Sequence, residues 1–142
     1  MSKTKKRSSI PKNNTVNIVN VLMNLLNNIK MHHWKTTSYS VHKATDELYS
    51  KLNDLIDEFV EILLGKKRNI NVKRGNVLDF DVIKLEDYSL ERFKSHIEEH
   101  KKILIQLPSN KLIKADEDTD LLNLKDEMLG LLNKFTYLLT LK

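Results

Sequence analysis

The chain has 142 residues, with 24 Lys and Arg against 19 Asp and Glu, and it contains no cysteine. This length suits a single domain around one core, and the lack of cysteine excludes disulfides and thiolate metal sites. No run of 18 apolar residues and no signal-peptide pattern occurs, which predicts a soluble, intracellular protein without membrane contact.

The net charge of +5 lies entirely in the first twelve residues, MSKTKKRSSIPK, because the rest of the chain holds 19 charges of each sign. Such a charged segment with few apolar residues is expected to be a disordered tail, with residues 13–142 forming the folded domain. The tail has five basic side chains, Lys3, Lys5, Lys6, Arg7 and Lys12. They could bind DNA phosphates without reading sequence, and improved solubility is the alternative role of the tail.

The first predicted helix spans about residues 14–35 and has apolar residues at helical spacing: Ile18, Val19, Leu22, Leu25, Leu26 and Ile29. His33 falls at the centre of this stripe, and His32 lies towards its edge. A histidine that ends an apolar stripe is more often a core residue than a ligand, unless other ligands lie nearby. Trp34 is expected to pack.

The second predicted helix spans about residues 41–62 and stops by Gly65. At 100° per residue, with Leu48 at zero, its apolar series falls between about 320° and 40°: Val41, Leu48, Leu52, Leu55, Phe59 and Ile62. Four potential metal ligands fall between about 120° and 220°, away from that core face: His42, Asp46, Asp57 and Glu61.

These four residues form two pairs, each one helical turn apart. Asp46 and Asp57 are separated by about 16 Å along the axis, whereas metal–ligand bonds are about 2 Å long, so one chain cannot bring both pairs to one ion. Two antiparallel copies related by a two-fold axis would join the pairs and bury an apolar edge between them: Tyr49, Ile56 and Val60. An ordinary solvated, charged face is the alternative.

The remaining pattern predicts two more helices after a long, unassigned connection over residues 66–87, which is expected to cross the length of the bundle. The third helix spans about residues 89–107 and contains H-x-x-E-H, from His96 to His100. That motif occurs in some zinc peptidases, but a core or interface role for His100 is the preferred interpretation. The fourth helix begins near residue 118 and carries an unbroken apolar seam.

The residues His33-Trp34, His42-x-x-x-Asp46 and Asp57-x-x-x-Glu61 together resemble the signature of the Dps-like mini-ferritins. The stretch HWKTTSYSVHKATDELY is more similar still to an uncharacterised Dps-like group of large DNA viruses and phages. The resemblance implies that His33, His42, Asp46, Asp57 and Glu61 are catalytic iron ligands of a ferroxidase site shared across a dimer two-fold. One departure is that the segment between His33 and His42 is three residues shorter than usual and lacks a glycine.

The resemblance further implies a ferritin-like four-helix bundle with a long connection between its second and third helices. On this interpretation the protein oxidises Fe(II) with peroxide, stores ferric mineral in a dodecamer, limits oxidative stress and binds DNA through its tail. The implied metal is iron, with manganese or zinc as alternatives, and the implied location is the cytoplasm, the nucleoid or a virion. Two rival interpretations are a non-catalytic DNA- or virion-associated bundle and an interaction bundle without metal.

Overall fold

The computed structural model describes residues 15–70, 72, 83–108 and 113–141, with side chains from residue 18 onward. The basic tail therefore lies outside the described residues, as does most of the long connection. Four α-helices and one short 3₁₀ turn make up the described part, which contains no strand: α1 (Thr15–Lys35), α2 (Tyr39–Gly65), Leu85–Asp87, α3 (Leu90–Gln106) and α4 (Thr119–Leu138).

Serine side chains fix where two of the helices begin. Ser38 accepts a hydrogen bond from the backbone N–H of Val41 at 3.3 Å, and Ser89 accepts one from Arg92 N–H at 3.1 Å. Each hydroxyl satisfies an N–H that has no partner within its helix. The four predicted helices are confirmed, with ends shifted by only a few residues.

The helices form a four-helix bundle in which α1 packs against α2 and α3, while α4 packs against the same two helices. The ring of His32 stacks on Phe93 near the start of α3, so α3 begins at the end of the bundle where α1 finishes. Since α2 also begins there, α2 and α3 run parallel at opposite corners. The end of α2 and the start of α3 therefore lie at opposite ends of the bundle, which agrees with the predicted long connection.

The core corrects the prediction made for one flank of α2. Ile56 is only 5% exposed and packs inside the bundle, while Tyr49 and Val60 are half-buried against the core. The physical reason is that α1 covers this flank, with Lys30 Nζ lying 4.2 Å from the centre of the Tyr49 ring. Ile56 is consequently not available to a second copy.

The end of α1 also differs from the prediction. His32, placed towards the edge of the apolar stripe, is deeply buried at 4% exposed, whereas His33 is only half-buried. Because α1 packs against two helices, its buried stripe is wide: His32 faces α3 and His33 faces α2. Trp34 falls outside both contacts and is 63% exposed, so the expectation that it packs is wrong for the single chain.

Asp118 links the end of α2 to the start of α4. It precedes α4, as predicted, but its buried carboxylate makes no capping bond to that helix. Instead it accepts hydrogen bonds from Lys66 Nζ at 3.1 Å, Arg68 Nη2 at 2.8 Å and the backbone N–H of Lys114 at 2.8 Å. Burial alone would raise the pKa of Asp118, but these hydrogen bonds outweigh it and lower the pKa.

Within the described residues, no helix is both long enough and apolar enough to cross a membrane.

Candidate metal-binding site

Two of the five predicted ligands lie in direct contact at one end of the bundle. The rings of His33, in the last turn of α1, and His42, in the first turns of α2, stack with centroids 3.8 Å apart and planes 20° from parallel. The three-residue loop 36–38 makes this contact possible because it turns the chain back within one helix width. The shortened segment between the two histidines therefore still brings them together.

The two histidines are held by reciprocal hydrogen bonds to each other's backbone. His33 Nδ1 donates to the carbonyl oxygen of His42 at 3.0 Å, and His42 Nδ1 donates to the carbonyl oxygen of His33 at 3.0 Å. A carbonyl oxygen can only accept, so this network assigns the proton of each neutral ring to Nδ1. The lone pair of each ring then lies on Nε2, the nitrogen that can bind a metal ion.

A third residue, Thr45, takes part in this arrangement and was not predicted from the sequence. Its side chain is fully buried, and its Oγ1 lies 3.0 Å from His33 Nδ1. The same hydroxyl lies 2.9 Å from the carbonyl oxygen of Val41 and 3.0 Å from that of His42. The signal available in the sequence was its position three residues after His42, which places it next to the ligand face but indicates no chemistry by itself.

The three candidate carboxylates do not join the histidines within one chain. Asp46 lies one turn after His42 on α2, and Asp57 and Glu61 form an exposed pair about 16 Å farther along the helix. In the part of the chain that the structure describes, no three His, Asp or Glu side chains are grouped so that they could hold one ion. A single chain thus offers a histidine pair and a separate carboxylate pair.

The H-x-x-E-H motif lies in a different, buried cluster between α1 and α3. His96 Nδ1 is 3.1 Å from both the hydroxyl of Tyr88 and Oδ1 of Asn28, while His100 Nδ1 donates to the carbonyl oxygen of His96 at 2.8 Å. His100 is buried, which confirms the predicted core role. Through these hydrogen bonds His96 and His100 contribute to the packing of α1 against α3.

Burial shifts the pKa of three side chains packed between α1 and α3. It raises the pKa of Tyr88 to about 12 and lowers the pKa of His100. Burial, together with the nearby positive charge of Lys35, lowers the pKa of His32 to about 4. His32 and His100 are therefore neutral at neutral pH, as expected for rings inside a core.

Comparison with known proteins gives a family but no activity. A family model described as "Family of unknown function (DUF5856)" matches residues 33–139, a range that includes all five predicted ligands. The "Uncharacterized 14.6 kDa protein in mobD-ri intergenic region" of Enterobacteria phage T4 is 39% identical over 66 residues, covering 44% of this chain and 52% of that protein. The chain thus spans about half the length of this curated relative, and no solved structure matches it.

Proposed function

This chain belongs to the DUF5856 family, whose function is unknown, and from its site we propose that it is a ferritin-like, Dps-type bundle that oxidises Fe(II). In this proposal the site is shared between two copies of the chain, and the ferric product is stored inside a larger oligomer. The observation that carries the proposal is the His33–His42 pair, in which both Nδ1 atoms are engaged and both Nε2 atoms are left to bind metal.

The topology of the bundle supports this proposal. Parallel α2 and α3 at opposite corners, joined by a connection that runs the length of the bundle, match the single long crossover of ferritin-like folds. A simple up-and-down bundle would instead place α2 beside α3.

The ligand types suit iron as the substrate. Imidazole nitrogen and carboxylate oxygen, without sulfur, bind Fe(II) and leave coordination positions open to an oxidant. Two Fe(II) ions each lose one electron to one hydrogen peroxide molecule, which takes up two protons and forms two water molecules. The chain would contribute His33, His42 and Asp46 from one copy and Asp57 and Glu61 from the other.

Antiparallel pairing of two α2 helices would complete the site. Placing His42 opposite Glu61 and Asp46 opposite Asp57 fixes the register, and the same register sets Tyr39 opposite Leu64. Tyr39 and Leu64 are 73% and 56% exposed, and both fall within the ligand-bearing sector of the helix, at about 180° and about 160°.

This register gives a second copy apolar surface to bury. Leu64 of one chain would meet Tyr39 near the exposed Trp34 of the other, at each end of the helix pair. At the centre, the small polar side chains of Ser50 and Asn53 would pass one another without a clash of charge. A second copy of the chain is therefore the occupant that we propose for this face.

The basic tail supplies the second part of the proposal. Because residues from 13 onward are formally neutral, affinity for DNA would come from residues 1–12 repeated over the oligomer. The non-catalytic alternative keeps the bundle and the tail but has no turnover of iron. Measuring Fe(II) oxidation by the purified chain separates the two.

Cysteine cross-linking tests the proposed interface without requiring iron, since the chain has no cysteine of its own. Tyr39→Cys and Leu64→Cys are made as separate variants. They are mixed, allowed to exchange subunits, and then oxidised. Antiparallel pairing predicts disulfide-linked dimers in the mixture only, because like positions lie about 37 Å apart. Cross-linking of either variant alone would indicate parallel pairing and refute the register.

Fe(II) oxidation by peroxide, followed by the absorbance of the ferric product, tests the chemistry. Glu61→Gln should lose most of the activity because it removes a proposed ligand. Glu58→Gln is the matched control, since Glu58 is exposed on the same turn but lies outside the ligand sector. Equal loss in the two variants, or oxidation no faster than in buffer by the intact protein, would contradict the proposal.

A further inference from the structure

We propose that Thr45 is a positioning residue whose buried hydroxyl holds His33 in the tautomer and orientation that present Nε2 to a divalent cation. Thr45 lies outside the predicted ligand set, and its own atoms would not touch the ion. The inference rests on the proposed function for the role of the cation, but the state of the His33 ring can be measured without one.

The geometry around the hydroxyl determines which group donates. Thr45 Oγ1 has one hydrogen, and the carbonyl oxygens of Val41 and His42, at 2.9 Å and 3.0 Å, can only accept it. His33 Nδ1 also lies 3.0 Å from the carbonyl oxygen of His42, which can only accept, so towards Nδ1 the hydroxyl, at 3.0 Å, acts as an acceptor. This arrangement requires the proton of the neutral His33 ring to be on Nδ1, which leaves the lone pair on Nε2.

The carbonyl of His42 is a shared acceptor. As part of α2 it already accepts the backbone N–H of the residue four positions later, and His33 Nδ1 and Thr45 Oγ1 both lie within 3.0 Å of it. A carbonyl oxygen has two lone pairs, so it can serve that N–H and His33 Nδ1 but not the Thr45 hydroxyl as well. When the Thr45 hydroxyl turns to Val41, its own oxygen becomes the second acceptor for His33 and relieves the competition.

Burial keeps the hydrogen bonds of the Thr45 hydroxyl directed at its protein partners. Thr45 is fully buried, so water does not compete for its hydrogen bonds, and its position is fixed by the α2 backbone. Replacing the hydroxyl by a methyl group would remove an acceptor and set a carbon atom about 3 Å from His33 Nδ1, closer than an ordinary van der Waals contact. The ring would have to move, and with it the ligating Nε2.

Two substitutions separate the hydroxyl from the rest of the side chain. Thr45→Val keeps the shape and removes the oxygen, whereas Thr45→Ser keeps the oxygen and removes the methyl group. The first readout is ¹⁵N NMR of the histidine rings in the metal-free full chain, which reports the protonated nitrogen of His33. The second is titration with Co(II), an air-stable divalent probe, followed by its visible absorption.

We expect His33 to be protonated on Nδ1 in the wild type and in Thr45→Ser, and to lose this single state in Thr45→Val. Co(II) should bind to the valine variant at least about tenfold more weakly, as is usual for loss of a group that orients a ligand, and the serine variant should bind as the wild type does. If valine changes neither readout, or if serine is as impaired as valine, the proposal is wrong.

The same variants and readouts also apply if Thr45→Val does not fold or if the wild type does not bind Co(II). If Thr45→Val does not fold, as judged by circular dichroism, the comparison is made between Thr45→Ala and Thr45→Ser. If the wild type does not bind Co(II), the proposed metal function fails, and the ring spectra alone decide whether Thr45 sets the state of His33.

Discussion

The buried His32 should make the stability of the bundle fall as the pH is lowered through the range in which histidine titrates. In the folded chain its ring stacks on Phe93 with centroids 4.3 Å apart, and its Nδ1 is buried without a hydrogen-bond partner in the described structure. Protonating the ring there would place a positive charge in the core, so the folded state resists protonation.

The size of the effect follows from the pKa of His32, which is lowered from 6.5 to about 4 on folding. As the pH falls below 6.5, His32 binds a proton in the unfolded chain, whereas in the folded chain it does not do so until about pH 4. Unfolding is therefore favoured increasingly across this window, by about 3 kcal/mol in total. That is a large part of the roughly 5–15 kcal/mol by which domains are stable.

His32→Phe should remove this dependence, because phenylalanine can keep the stack on Phe93 but does not titrate. Urea unfolding at constant protein concentration gives the free energy of unfolding at about pH 7.5 and about pH 4.5, and the difference should shrink by about 2.5 kcal/mol in the variant. Phe135→Leu is the control: it alters the same core at all pH values and should leave the difference intact. An unchanged difference in His32→Phe would refute the reasoning.

Two further predictions concern other parts of the chain. Asp118→Asn should destabilise the bundle by about 3 kcal/mol in urea unfolding, because Lys66 and Arg68 lose a buried anionic partner. Asp116→Asn, at an exposed site, is its control, and equal effects would contradict the role of Asp118. The lowered pKa of Asp118 also means that its contribution is present above the ordinary carboxyl pKa and is lost only in stronger acid. Separately, deleting residues 1–12 should abolish salt-sensitive shifting of duplex DNA without changing oligomer mass or Fe(II) oxidation; a truncated protein that binds DNA as well as the intact one would exclude the tail.

The helices could be predicted from the sequence because each depends on local spacing. The apolar residues of α2 recur by threes and fours, Ser38 and Ser89 provide caps, and Gly65 ends α2. The long crossover could be anticipated from the length of the unassigned segment. These features are set by residues close together along the chain, so periodicity and capping rules are sufficient to find them.

The flank on which each side chain lies could not be predicted in the same way. Ile56 and Trp34 were misplaced because a helical projection does not show which neighbour covers a given sector, and α1 buries one flank of α2 while Trp34 stays outside. Likewise, the depth of His32 depends on Phe93, which lies 61 residues away along the chain. Long-range packing of this kind has no signature in local spacing.

The candidate site also combines residues that local spacing predicted with a residue whose role depends on long-range packing. The sequence singled out His33 and His42, and the structure brings their rings together, but the role of Thr45 depends on a hydroxyl buried between two helices. A threonine in a helix is common and suggests nothing by itself. The carboxylates Asp57 and Glu61 stay a prediction, because their partners would come from a second chain.

Mixing two inactive variants tests the shared site most directly. His42→Ala and Asp57→Asn should each abolish most Fe(II) oxidation, yet after subunit exchange an equal mixture should recover about a quarter of the wild-type rate. Half of the dimers would be mixed, and each would hold one site with all its ligands. The control mixture, His42→Ala with Asp46→Asn, should recover nothing because every site then lacks a ligand. Recovery in the first mixture alone is the predicted result; no recovery despite verified exchange would contradict a site shared between two copies.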